Sequence, residues 1–209
     1  MKSPTEHYRK LRVTLGEIRV IMRSVPQLTC DSKLHHLKVQ SYILLCHAAF
    51  EEYVEELVRL VSTEAIRLLN EELTITRTLI SMTACETIAQ LDESVARKKI
   101  KSDVASNFET FANLAKINFH KQIDENHGIR GLNLRSLFLP IGIDPEACDL
   151  PTFSALDALG LKRGNIAHKV IIKRSETRSS ILSETDVIFR GLLEYDIAAV
   201  ELLRQRMKK

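Results

Sequence analysis

Hydrophobic residues recur at helical intervals along most of the chain. Tyr8, Leu11, Leu15, Ile18 and Met22 stand three or four residues apart, with Arg9, Lys10, Arg12, Glu17 and Arg19 between them. This predicts an amphipathic helix ending near Pro26. Asp31 or Ser32 can cap a second helix, running from about residue 33 to about 70. Its apolar stripe is Phe50, Val54, Leu57, Val61, Ala65 and Leu68, while Glu52, Glu55, Glu56 and Arg59 turn outward. Residues 83–99 and 103–122 also read as helices, the latter with Phe108, Phe111, Leu114 and Ile117 as its stripe. Thr152 or Ser154 can start a further helix through Leu156, Leu159 and Ile166 to about Lys169. A short irregular or extended piece follows. Ser183 then opens the last helix, whose buried face is Ile188, Leu192, Tyr195, Ala199 and Leu202.

One segment breaks the pattern. Residues 128–151 hold three of the seven glycines and three of the five prolines, yet also Leu132, Leu134, Leu137, Phe138, Leu139, Ile141 and Ile143. That apolar content argues for an ordered insert packed on the core, not a flexible linker. No strand-rich region or internal repeat occurs. The expected fold is therefore all-α: a helical bundle over residues 1–209 as one domain, with one long helical hairpin and a loop-rich insert near 128–151.

Composition and charge narrow the chemistry. No apolar run approaches the ~18 residues of a membrane span, and the start lacks a signal-peptide core, so a cytoplasmic protein with no membrane partner is expected. Cys30, Cys46, Cys85 and Cys148 lie far apart without a C-x-x-C pair and read as free thiols. Charge is uneven: residues 162–178 hold six cations against one anion, a net +5, which leaves −2 on the rest of the chain. A basic stretch on a mildly acidic body suits a phosphate-bearing partner, and equally a solvated loop.

Most motifs with chemical meaning are missing or out of place. Gly128-Ile129-Arg130-Gly131 has the spacing of a backbone-clamping G-x-x-G loop, but that loop needs surrounding strands. His35, His36, His120 and His127 match no usual metal spacing, and no phosphate-binding glycine loop or serine elbow occurs, so neither metal nor cofactor is expected. His47 and Glu51, one turn apart, can act as a base and its orienting acid, or simply share a contact at a core edge. Arg163 and His168 remain. An R-x4-H spacing arises by chance roughly 0.5 times in a chain of this composition, so context must carry it. On an ideal helix the two are about 140° apart, but the long arginine stem lets both reach one groove. Asn165 stands one turn before His168, and Lys162, Lys169, Lys173 and Arg174 make the surroundings positive.

The stretch ALGLKRGNIAHK resembles the closing motif of the HEPN superfamily, an arginine followed after four to six residues by histidine. AAFEEYVEEL, with Glu51, is similar to the alanine-rich second helix of these domains, and GLNLRSLFLPIGID to the segment before the last motif-bearing helix in the RiboL-PSP-associated group. Gly164 stands where many members carry a polar residue directly after the arginine, and Asn165 comes one later. The resemblance implies a metal-independent endoribonuclease, a toxin of a toxin–antitoxin or phage-defence system. Arg163 and His168 would be its catalytic pair, Asn165 and Glu51 auxiliary residues, and Lys162, Lys169, Lys173 and Arg174 the RNA contacts. It also implies a homodimer and a neutralising antitoxin, which would cover the basic groove or modify a hydroxyl, for which Tyr195 and the 175–180 loop are candidates. Two other readings use the same residues: a non-catalytic HEPN-like interaction or scaffold module, and a nucleic-acid-binding regulator without catalysis.

Overall fold

The computed structural model describes residues 2–89, 107–168 and 176–205, and every regular element among them is a helix. Helix α1 (Glu6–Ile18) is capped by the Thr5 hydroxyl, which accepts the Tyr8 N–H, and continues as a 3-10 turn over Arg19–Met22. Helix α2 (Lys33–Glu72) runs for 40 residues, about 60 Å. Of its two expected caps Ser32 is the one used, accepting the His35 N–H. Helix α1 folds back along it, with Lys10 Nζ 2.7 Å from Glu52 Oε1 and Lys38 bonded to Ser24. These two helices form the long hairpin. The α2 stripe is where the periodicity puts it: Phe50, Val54, Leu57, Val61 and Ala65 are fully buried. Each large side chain so buried contributes about 1.5–3 kcal/mol.

The middle of the chain departs in detail. Helix α3 (Arg77–Ala89) starts before residue 83 because the Thr76 hydroxyl accepts the Leu79 N–H and caps it there. The end expected near 99 and the start expected at 103 lie outside the described residues. Helix α4 (Phe108–Asp124) is capped by Asn107, and its buried face is Phe111, Ala112, Ala115, Phe119 and Ile123. Of the expected stripe, Phe111 is buried and Phe108 half-buried, but Leu114 and Ile117 face solvent. A row of steps of three drifts about 60° per step around a helix, whereas alternating three and four stays on one face.

The insert packs on the core as expected, with Ile129, Leu134, Leu137, Phe138 and Ile141 fully buried, although Leu132 and Leu139 of its expected apolar set face solvent. Its backbone is mostly helical: α5 (Gly131–Phe138), a 3-10 turn over Leu139–Ile141, and α6 (Pro145–Cys148). Pro140 and Pro145 stand in first-turn positions, where no N–H is needed. Helix α7 (Leu150–His168) likewise begins before Thr152, with Pro151 in its first turn. Helix α8 (Arg178–Arg204) begins ahead of Ser183 because Thr177 and Ser180 form a reciprocal capping box.

Helix α2 is the spine, packed by α1, α3, α4, α7 and α8. One connected cluster of buried apolar side chains joins all of these with the insert. Among the described residues no helix is long and apolar enough to cross a membrane. All four cysteines are free thiols. Within the core, Asp196 of α8 is completely buried, and its partners are neutral donors. Ser3 Oγ (2.6 Å), the Thr5 N–H (3.0 Å), Thr5 Oγ1 (2.5 Å) and the Tyr53 hydroxyl (3.3 Å) all donate to it. Four donors offset the desolvation of the carboxylate and pin the start of the chain to α8.

Candidate active site

Arg163 is held in place by the packing of its helix. Leu156 and Leu159 are buried against the core, and Asp157 Oδ1 accepts the Gly131 N–H at 2.8 Å and Arg130 Nε at 3.2 Å. One turn on from Leu156, a Cβ at Gly160 would lie 2.8 Å from Arg130 Cγ, so a larger residue would have to push that side chain aside where α7 meets the start of α5. Beyond this clamp α7 runs antiparallel to α2. Ile166 meets Val39 and Ile43, and the charge of Arg163 acts on His47 and Glu51.

Arg163 is half-buried and makes no hydrogen bond or salt bridge with any described residue. Lys162, the residue before it, is in the opposite position: its ammonium is 2.5 Å from Glu184 Oε2 and 3.2 Å from Glu176 Oε1. Burial opposes the charge on Lys162, but the two carboxylates outweigh it and hold the ammonium above its ordinary pKa. Lys162 thus joins α7 to the start of α8, and its charge is already matched within the fold. Arg163 retains a guanidinium fork that can take two oxygens of a phosphate.

The neighbouring pair of α2 is quieter than its spacing suggests. His47 Nδ1 is 3.5 Å from Glu51 Oε2, but the imidazole is buried, and burial followed by the Arg163 charge lowers its pKa to about 4. Burial and repulsion from Glu55 raise the Glu51 carboxyl, offset in part by Arg163 and His127. Burial takes the His47 imidazole out of reach of substrate and makes this a local contact at the core edge. Glu51 stays half-buried at the same crossing, within the field of Arg163.

Of the remaining candidates, His168 is the last residue of α7, five residues and about 7.5 Å along the axis from Arg163. Asn165 faces the groove between α7 and α2, alongside Gln40. Lys169, Lys173 and Arg174 lie outside the described residues. Tyr195 cannot be a target for modification in the folded protein: it is fully buried, and its hydroxyl donates to the carbonyls of Pro145 (2.6 Å) and Asp149 (3.2 Å). Gly128 and Gly131 serve packing, Gly131 by opening α5 on Asp157. Among the described residues no group of three or more His, Cys, Asp or Glu side chains is placed to hold a metal ion.

The polar group beside Glu51 is larger than the motifs indicate. Asn126 Nδ2 donates to Glu55 Oε1 at 2.6 Å and to the Gly128 carbonyl at 3.0 Å, and its Oδ1 accepts from Asn133 at 2.9 Å. Two acidic residues one turn apart, Glu51 and Glu55, signal that partners must come from elsewhere in the chain. Nothing in the local sequence names Asn126 or His127 as those partners.

A family model described as RiboL-PSP-HEPN matches residues 22–199. No curated protein and no solved structure matches the chain.

Proposed function

The chain belongs to the RiboL-PSP-HEPN family, and from this footing we propose that it is a metal-independent endoribonuclease, acting as a single helical domain in the cytoplasm. The observation that carries the reading is Arg163, a half-buried guanidinium that no described carboxylate neutralises, beside a lysine that two carboxylates do. In the proposed reaction His168 accepts the proton of a ribose 2′-hydroxyl, whose oxygen bonds to the adjacent phosphorus while the bond to the 5′-oxygen breaks. Arg163 stabilises the charge on the pentacoordinate phosphate, and the departing 5′-oxygen takes up a proton. The products are a 2′,3′-cyclic phosphate and a 5′-hydroxyl, and DNA, lacking the internal nucleophile, is not cut.

Glu51 and Asn165 flank the arginine as auxiliary residues, and Lys169, Lys173 and Arg174 supply charge for the RNA backbone. Lys162 contributes by holding α7 in place. Two copies with their α7 helices near a two-fold axis would let Arg163 of one serve a phosphate approached by His168 of the other. One exposed side chain on the same helix, Leu161, offers apolar surface for such a contact. An enzyme of this kind requires restraint, which fits a toxin with an antitoxin over its site.

The test is incubation of the purified protein with mixed RNA and DNA in EDTA, with analysis of product ends. RNA cut to 2′,3′-cyclic phosphates, with a loss of roughly 10²–10⁴-fold on His168→Ala, supports the reading. Intact RNA, or cleavage unchanged in the His168→Ala, Arg163→Ala double variant, replaces it with the scaffold reading. One observation favours that alternative: the pairing of Lys162 leaves one fewer cation for RNA.

A further inference from the structure

A groove of about 410 Å³, including its open mouth, lies between α7 and the first half of α2. Val39, Ile43 and Ile166 form its walls, Gln40 and Asn165 add side-chain amides, and Lys162 with Glu176 closes one end. Val39 and Ile43 also belong to the core, so that wall is rigid. Neither amide is hydrogen-bonded to any described residue, which leaves both free to meet a ligand. The charge at the closed end is unfavourable for phosphate. Lys162 is matched against both Glu176 and Glu184, a net −1.

A neutral, flat group with apolar faces and a hydrogen-bonding edge fits these conditions, whereas an anion does not. Nucleobases splayed from single-stranded RNA are bound in this way, with their faces against side chains and their edges read by polar groups. An amide presents a carbonyl acceptor beside an N–H donor, the complement of the amino group and ring nitrogen of adenine. The excess carboxylate also favours a base that offers an amino group, and a purine covers more of the apolar wall than a pyrimidine.

We propose that this groove is a base subsite that takes an unpaired adenine, with Gln40 and Asn165 reading its edge while the adjoining phosphate lies on Arg163. The inference rests on the ribonuclease reading for its phosphate, but its own evidence is the groove. It gives Asn165 a share in specificity, and it brings in Gln40, which no motif singles out.

Two measurements on the full-length protein test it. Calorimetric titration with the four ribonucleoside 3′-monophosphates is expected to show 3′-AMP bound about tenfold more tightly than 3′-UMP, and Gln40→Ala and Asn165→Ala should each level most of that difference. Sequencing the ends left on a random RNA pool is expected to show adenine enriched beside the cut, with the enrichment lost in Gln40→Ala. Selective binding without cleavage upholds the subsite and removes the nuclease reading. Cleavage with no base preference, and four nucleotides bound alike, overturns the subsite and leaves the nuclease reading standing. Absence of both binding and cleavage overturns the two together.

Discussion

Lys162 and Arg163 are adjacent in the chain, and only the first is neutralised by the fold: Glu184 and Glu176 hold Lys162, while no described carboxylate pairs with Arg163. Exchanging the two is therefore not symmetrical. Lys162→Ala leaves two half-buried glutamates near each other without their cation and is expected to lower Tm. Arg163→Ala removes no hydrogen bond or ion pair with a described residue and is expected to change Tm less than Lys162→Ala. It should nevertheless cost RNA cleavage on the order of 10²–10³-fold, the usual worth of one transition-state donor. Paired melting and cleavage assays on the two variants check this, and equal effects on both readouts would contradict the assignment.

His47 gives the fold a pH dependence of definite sign. Burial and the Arg163 charge lower its pKa to about 4, against an ordinary value of 6.5. Above pH 6.5 the imidazole is neutral folded or unfolded and contributes nothing to the difference. Between 6.5 and 4 only the unfolded chain takes up the proton, so stability falls as pH falls, by roughly 3 kcal/mol across the window. Urea denaturation at a series of pH values is expected to show this slope, and His47→Gln to flatten it.

Two glycines should respond in opposite ways. A Cβ at Gly164 would meet nothing within 4 Å, so Gly164→Ala removes a flexible helical residue without a clash and is expected to stabilise by about 0.5–1 kcal/mol. At Gly191, where α8 crosses the start of α7, a Cβ would lie 1.6 Å from Thr152 Oγ1. Gly191→Ala is expected to destabilise by at least about 1–3 kcal/mol, the usual range for overpacking. Thermal melts of the two variants measure both.

Leu161 tests the two-fold arrangement. It is half-exposed on α7, two residues before Arg163. Leu161→Glu is expected to leave the helical content unchanged, to shift the protein from dimer to monomer in light scattering, and to reduce cleavage with it. A variant that stays dimeric with full activity would place the contact elsewhere.

Much of the fold is legible in the periodicity. The α2 stripe from Phe50 to Ala65 and the α8 face from Ile188 to Ala199 are buried as the spacing requires. Errors cluster at helix starts, where one hydroxyl decides the boundary: Thr76 and Thr177 cap earlier than the apolar pattern begins. Prolines misled in the same direction, since Pro140, Pro145 and Pro151 open helical turns here and do not break them. For the site, the motif locates Arg163 on α7 and the acidic pair on α2. That the two face each other depends on tertiary packing between positions more than a hundred residues apart, which no local pattern encodes. The doubly paired state of Lys162 is invisible for the same reason, because its partners sit around the start of a different helix.

The buried carboxylate of Asp196 imposes an order of events during synthesis. Its donors Ser3 and Thr5 leave the ribosome first, and Asp196 follows about 190 residues later. Until then the two hydroxyls and Tyr53 can donate only to water, and α2 lacks the helix that covers one side of it. At roughly 5–20 residues per second, a nascent chain spends on the order of ten seconds or more with α1 and α2 made and α8 still missing. The closing contact joins residues 193 apart, so it is among the last to form. Partial chains from interrupted translation would lack this lock, and a binding partner that waits for the finished surface would meet only full-length protein.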